Sequence, residues 1–125
     1  MKTLLLTGAA AILATALTSE HAQSKPARVT FLVVFRPGPA FLPGKPLLEQ
    51  PLKEHGRYIL SLHVRGALKF AGPFGDDSGG AAVFEAADEA EAKAIVAADP
   101  AVTSGIFLAD LRPWTLVDWE ARAKK

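Results

Sequence analysis

The stretch Val29 to Phe35, with the sequence VTFLVVF, decides the fold of this chain. Its β-branched and aromatic residues predict a strand. Both alternating faces of that strand are apolar. One face carries Val29, Phe31, Val33 and Phe35, and the other carries Leu32 and Val34. A strand of this kind is covered on both faces. The chain has 125 residues, enough for one domain, so helices can cover one face and we expect a partner subunit or a ligand on the other.

A proline-rich loop and a helix are predicted after this strand. Residues 36–46 hold four prolines and two glycines, so they form neither a helix nor a central strand. A loop of this length either shapes a site or is a plain connector. Because Pro51 is tolerated in the first turn of a helix and hardly later, the first helix begins near Gln50. It runs to about Arg65, and Gly66 ends it.

The second half of the chain alternates strand and turn signals around one more helix. In order, the sequence predicts a strand at 67–72, a turn at 73–80, a strand at 81–86, a helix at 88–98 and a strand at 106–111 that Pro113 ends. Asp88 and Glu91 form a capping box at the start of the helix. The resulting order is the ferredoxin-like α+β pattern βαββαβ, with a four-stranded antiparallel sheet and two helices on one face.

Two titratable residues lie where these helices would bury apolar ones. His55 lies on the apolar stripe of the first helix, and Asp99 ends the stripe of the second. An ionisable group on a buried face is costly unless it is paired. The topology makes the two helices antiparallel, so the start of the first and the end of the second lie at the same edge of the sheet. We therefore expect His55 and Asp99 to meet.

A neutral imidazole oriented by a carboxylate is a recurrent general base. Asp99, at a helix C-terminus, would oppose the helix dipole at a cost of about 0.3–1 kcal/mol, which a nearby His55 would offset. Such a pair could remove a proton from an acidic carbon or from water. The alternatives are that the pair only ties two helices together, or that Asp99, which precedes Pro100, only caps the following turn.

Other kinds of site find little support in the sequence. A metal site from His55, His63 and Asp99 is disfavoured, because His63 lies far along the first helix. The absence of cysteine excludes thiolate nucleophiles and thiolate metal sites. Neither GxGxxG nor a P-loop is present, so no cofactor is expected. A net charge of +1 with scattered basic residues does not fit nucleic-acid binding. The phenylalanines at 35, 70, 84 and 107 are core residues by default, and some could line a pocket between the sheet and a partner.

Residues 1–22 have the pattern of an export signal. Lys2 supplies the positive charge, residues 4–17 form an uncharged run rich in Leu and Ala, and small residues follow, with Ala16 and Ala22 as rival cleavage points. The alternatives are a retained membrane anchor and an N-terminal helix without a lipid. We expect a mature domain over 23–125, with its core at 28–116, that is periplasmic or secreted and free of the membrane after signal removal.

The motifs together resemble the YCII-related (YciI-like) family over roughly residues 29–116. The resemblance rests on KEHGRYILSL around His55, on GALKFAGPF at 66–74, on the helix ending in Asp99-Pro100 and on a last strand reaching Pro113-Trp114. It implies a ferredoxin-like fold that dimerises sheet to sheet, as in the dimeric α+β barrel group, and a His-Asp active site at His55 and Asp99. Most of that family has no established activity, and some relatives are linked to dehydrochlorination or lactone chemistry. The export signal and the loop at 36–46 depart from the common family pattern and argue against a cytoplasmic catabolic role.

The sequence thus predicts an exported, homodimeric enzyme that acts on an unknown small molecule by proton transfer, with elimination, isomerisation or hydrolysis as the outcome. His55 would be the general base or acid, and Asp99 would orient it. A second interpretation is a non-catalytic ligand-binding or interaction module that uses the same pocket. A third is a dimer whose His55–Asp99 pair is only structural. No cofactor, metal or nucleic-acid partner is expected.

Overall fold

The computed structural model describes residues 27–125 and, ahead of them, Thr3 alone. The expected export signal at 1–22 therefore lies, apart from Thr3, outside the described residues, and so does His21. Among the helices of the described part, none is both long enough and apolar enough to cross a membrane.

The described part forms strands and helices in the predicted order, with short additions. The elements are β1 (Val29–Pro37), a 3-10 turn (Leu47–Glu49), α1 (Lys53–Val64), β2 (Leu68–Pro73), β3 (Gly80–Ala86), α2 (Glu89–Ala97), α3 (Pro100–Thr103), β4 (Phe107–Pro113) and α4 (Trp119–Ala123). The 3-10 turn and the short helices α3 and α4 are the elements that the sequence pattern did not indicate.

The four strands form one antiparallel sheet in the order β2-β3-β1-β4. The apolar strand β1 lies inside the sheet, where Leu32 pairs with Val83 of β3 on one side and with Arg112 of β4 on the other. This is the strand order of the ferredoxin-like α+β fold, so the predicted fold class is confirmed. The central position pairs both edges of β1, and the helices cover the face that carries Phe31, Val33 and Phe35.

The core lies between one face of this sheet and the helices. Its sheet side includes Phe31, Val33 and Phe35 of β1, Phe84 of β3 and Phe107 of β4; its helix side includes Leu62 of α1 and Ala92 and Ile95 of α2. Three of the four phenylalanines predicted as core are therefore buried. The prediction for Phe70 is wrong: this residue is 73% exposed. A register irregularity in β2 pairs Phe70 with Val83, on the face away from the helices.

That second face of the sheet is only partly covered by the described chain. Leu32 and Val34 are half-buried there, while Leu108 beside them is 39% exposed. Two ion pairs lie near these apolar residues, Arg36–Asp110 at 3.0 Å and Lys69–Glu85 at 2.9 Å. The expectation of a partner or ligand on this face stays a prediction.

The first helix begins three residues later than predicted. Pro51 precedes Leu52, the N-cap of α1, instead of lying in the first turn. The reason is Gln50, whose buried side chain accepts a hydrogen bond from the Leu42 N–H and donates to the carbonyls of Leu42 and Lys45. These bonds hold Gln50 to the proline-rich loop and outside the helix. Gly66 follows the helix at a φ of +80°, in agreement with its predicted role as terminator.

Candidate functional site

The structure brings His55 and Asp99 together at one edge of the sheet. His55 is the third residue of α1, and Asp99 lies between α2 and α3. The Nδ1 atom of His55 lies 2.7 Å from Oδ2 and 2.9 Å from Oδ1 of Asp99. The side chain of His55 is 17% exposed and that of Asp99 only 1%. The two helices thus meet as the topology requires, while the catalytic role of the pair stays a prediction.

Asp99 does not lie at the C-terminus of α2, which corrects the sequence-based expectation. The C-cap of α2 is Ala98, and Asp99 instead is the N-cap of α3, where its Oδ1 accepts a hydrogen bond of 2.9 Å from the Ala101 N–H. Pro100 forces this break, because proline disrupts a helix interior but fits its first position. The carboxylate therefore lies at the favourable end of α3 while it directly follows the C-cap of α2, and the Ala101 N–H offsets part of the predicted dipole cost. The alternative in which Asp99 caps the following turn is observed together with the histidine contact.

The carboxylate decides which imidazole nitrogen carries the proton. An ionised carboxylate only accepts hydrogen bonds, so Nδ1 of His55 is the donor. In the neutral ring, Nε2 is then left with a free lone pair. Nε2 makes no hydrogen bond with the described residues, and it is not fully buried. The pair therefore presents a proton acceptor away from Asp99.

Two phenylalanines hold the imidazole ring from the sheet side. Phe35 of β1 and Phe107 of β4 meet it edge to face, with ring centroids 5.1 and 5.4 Å away and interplanar angles of 81° and 82°. Such contacts contribute about 0.5–1.5 kcal/mol each beyond their burial. They restrict the orientation of the ring from the sheet side.

A tyrosine near the pair was missed by the sequence analysis. Tyr58 follows His55 by one helical turn, and its hydroxyl donates a hydrogen bond of 2.6 Å to the Ile95 carbonyl of α2. Burial raises the pKa of this hydroxyl above its ordinary value; Arg65 opposes the shift and Asp99 adds to it. The bond fixes α1 against α2 beside the site. Its sequence signal is a single tyrosine one turn after a candidate base.

A cavity of about 690 Å³ opens beside His55. It is bounded by the start of α1, by residues 47–52 ahead of it, by the β2–β3 turn, and by Phe35 and Phe107. Its lining is mostly apolar, and its ionisable members are His55 and Asp77. A concave apolar site with few polar groups is the usual form of a small-molecule site. Phe35 and Phe107 line this cavity on the helix side of the sheet. The predicted pocket between the sheet and a partner is a different one and stays a prediction.

The cavity walls depend on two tight loops. Gly79 in the β2–β3 turn has a φ of +137°, and a Cβ there would lie 1.9 Å from the Phe35 carbonyl oxygen, so the close approach requires glycine. Across the cavity, the Leu47 N–H donates a hydrogen bond of 3.3 Å to Oδ1 of Asp77. The proline-rich loop at 38–46 contributes no lining residue. Gln50 bonds this loop and lies between Leu48 and Leu52, which do line the cavity.

The remaining histidine within the described residues lies elsewhere. His63 is exposed in the last turn of α1 and does not line the cavity. Within residues 27–125, no group of three or more His, Cys, Asp or Glu side chains is placed to hold a metal ion.

Fold and cavity together define a ferredoxin-like α+β protein with a carboxylate-bound histidine in a mostly apolar cavity. The profile of the YCII-related domain matches residues 29–115, and the chain belongs to that family. The family resemblance inferred from the sequence is thereby confirmed.

The chain is similar to one curated protein in sequence and to one solved protein in structure. It is 40% identical over 62 residues to "Uncharacterized protein YjpA" of Bacillus subtilis (strain 168), an alignment that covers 50% of this chain and 73% of that protein. Its structure is similar, with a TM-score of 0.52, to 5-chloro-2-hydroxyhydroquinone dehydrochlorinase (TftG) from Burkholderia phenoliruptrix AC1100, solved in complex with 2,5-dihydroxybenzoquinone. That match covers 72% of this chain and 97% of the other at 20% identity, a level that shows the fold alone.

Proposed function

We propose that this chain is a small-molecule enzyme in which His55 transfers a proton and Asp99 orients it. One observation carries the proposal. Nδ1 of His55 is bound to a carboxylate that is 1% exposed, while the ring itself lines a cavity of about 690 Å³. A base must be exposed to its substrate on one side and held on the other, and this arrangement supplies both.

The proposed reaction begins with Nε2 as the acceptor. The Nε2 lone pair takes a proton from an acidic C–H or from water, and the imidazole becomes an imidazolium whose Nδ1–H remains bonded to Asp99. The electron pair left on carbon forms a double bond if a leaving group departs. It returns to another position of the substrate if the proton is delivered there. Elimination and isomerisation are thus two outcomes of one transfer, and attack by the deprotonated water gives hydrolysis.

The solved structural neighbour is named as a dehydrochlorinase, an enzyme that catalyses an elimination. That activity belongs to the neighbour. For this chain it supports the class of reaction that we propose and does not identify the substrate.

We also propose that the chain is exported and acts as a homodimer. The charge and apolarity of residues 1–22 support an export signal, and hence a periplasmic or secreted mature domain. The half-buried Leu32 and Val34 and the exposed Phe70 on the open sheet face support association of two copies through their sheets. Gel filtration of the purified mature chain at the size of a monomer would contradict the dimer.

A structural role for the pair is the second candidate, because one observation favours it. Asp99 is buried and joins His55 of α1 to the Ala101 N–H of α3, as a purely structural residue would. In that case the cavity would serve a non-catalytic binding module. The activity and stability of variants at His55 and Asp99 distinguish the enzyme from the structural pair.

The test uses proton abstraction itself as the readout. A library of small molecules with acidic C–H groups is incubated with the protein in D₂O, and loss of C–H signals is followed by NMR. We expect wild type to accelerate exchange or turnover of at least one compound. His55→Gln should lower that rate by about 10²- to 10⁴-fold, the usual contribution of a general base. His63→Gln, an exposed histidine on the same helix, is the matched control and should retain the rate. Equal rates in wild type and His55→Gln would refute the proposal.

A further inference from the structure

The charges around the cavity favour one class of ligand. We propose that the cavity selects uncharged or cationic apolar molecules over anions, and that Asp77 is the residue that sets this preference. The inference rests on the proposed function of the same site and adds the chemistry of its substrate.

One carboxylate, that of Asp77, lines the cavity, and a second, that of Asp99, lies behind the lining residue His55. Among the described residues that line it, none is a lysine or an arginine, and Asp77 carries the single full charge exposed on the lining. Asp99 adds a second negative charge directly behind His55, with its Oδ2 2.7 Å from Nδ1. An anion that approached His55 would therefore face negative charge from two directions.

Asp77 lines the cavity, and one of its carboxylate oxygens has no hydrogen-bond partner among the described residues. Its φ of +61° places it in the left-handed region, which aspartate tolerates better than most residues. Oδ1 accepts the Leu47 N–H at 3.3 Å, and Oδ2 has no partner among the described residues. A carboxylate oxygen in that position accepts a hydrogen bond from a hydroxyl or ammonium group of a ligand.

One feature of the site opposes this preference. The cavity includes the N-terminal turn of α1, whose dipole is equivalent to about half a positive charge there. The full negative charge of Asp77 exceeds that positive half charge, and the carboxylate of Asp99 adds further negative charge. The mouth of the cavity is open to water, so the discrimination against an anion is modest, about three- to tenfold at low salt.

The ligand class follows from these charges and from the walls. The apolar walls and the aromatic rings of Phe35, Phe74 and Phe107 suit a flat hydrocarbon or aromatic body. One hydrogen-bond donor of the ligand would meet Asp77, and its acidic hydrogen would face His55. Carboxylated or phosphorylated analogues of the same body would bind less well.

Three probes of the same size and different charge test the proposal. Benzyl alcohol, benzylamine and sodium benzoate are titrated separately at low salt into the ¹⁵N-labelled chain, and amide shifts around the cavity give the dissociation constants. The variant is Asp77→Asn, which keeps the Oδ1 acceptor for Leu47 and tolerates the positive φ. The matched control is Asp76→Asn, one residue away, whose side chain bonds Ser78 and does not line the cavity.

In wild type we expect benzoate to bind about three- to tenfold more weakly than benzyl alcohol, and benzylamine to bind at least as well as the alcohol. Asp77→Asn should remove most of that spread, and Asp76→Asn should keep it. If circular dichroism shows Asp77→Asn unfolded, Asp77→Gly takes its place, since glycine adopts the same φ freely.

Benzoate binding as tight as that of the alcohol would overturn the proposal. So would an equal effect of the two asparagine variants, or cavity amides that none of the probes shifts. The readout is binding, so it stands apart from the proposed catalysis: a charge preference without a role for His55 in turnover would retain this inference and refute the enzyme.

Discussion

The Asp99 carboxylate makes a quantitative prediction possible, because two of its contacts can be separated. Asp99→Ala removes an N-cap for α3 and the acceptor of the His55 Nδ1–H. Loss of an N-cap costs about 1 kcal/mol. Loss of a buried hydrogen bond to a charged acceptor costs about 1.5–3 kcal/mol. We therefore expect Asp99→Ala to lower the free energy of unfolding by about 2.5–4 kcal/mol.

The chain offers a matched control in Asp88. This residue caps α2 through a hydrogen bond of 2.8 Å to the Glu91 N–H, at an exposed position without a histidine partner. Asp88→Ala should cost only the cap, about 1 kcal/mol. Urea denaturation followed by far-ultraviolet circular dichroism measures both. Because Tm changes by about 4–8 °C per kcal/mol in domains near this size, the two variants should also differ clearly in thermal unfolding.

A double-mutant cycle isolates the pair. We expect His55→Ala and Asp99→Ala together to cost less than the sum of the single variants, by about 1.5–3 kcal/mol. An Asp99→Ala loss no larger than that of Asp88→Ala, or a coupling near zero, would refute the account of how Asp99 holds the imidazole.

Three further predictions concern residues around the site. Gly79→Ala should destabilise the fold by at least about 1–3 kcal/mol in urea denaturation, since its methyl group would meet the Phe35 carbonyl at a positive φ, whereas Gly75→Ala in the same turn has open space and should be near neutral. Gln50→Ala should cost about 1–3 kcal/mol and speed amide exchange over residues 38–46, because it leaves buried loop groups without partners; unchanged exchange would contradict its clamping role. Tyr58 is the one tyrosine of the chain, so absorbance near 295 nm reports it alone, and its midpoint should lie above 10. Because the pKa of Tyr58 is raised in the folded state, its contribution to the free energy of unfolding is fully present below about pH 10 and is lost as pH rises through the folded pKa. A midpoint at or below 10 would contradict the burial of this hydroxyl.

Much of the fold follows from the sequence because its signals are local or topological. The apolar faces of Val29 to Phe35 indicate a central strand, and the βαββαβ order leaves one familiar arrangement of the sheet. The same order brings His55 and Asp99 to one edge, which is why the sequence alone suffices to pair two residues that lie 44 positions apart.

Other features of the site depend on geometry that a pattern does not carry. Pro100 begins a separate one-turn helix, so Asp99 caps α3 instead of ending α2. A register irregularity moves Phe70 from the core face to the open face. Gln50 and Asp77 lie in loops, where a polar residue is unremarkable until its contacts across the cavity are known.

The central claim is that Asp99 holds His55 with Nε2 free to accept a proton. Long-range ¹H–¹⁵N NMR of the neutral imidazole, without ligand, tests it most directly. We predict for His55 a protonated Nδ1 and an unprotonated Nε2, and a loss of that tautomer preference in Asp99→Ala. In the neutral ring of the wild-type protein, a proton on Nε2 and none on Nδ1 would contradict it.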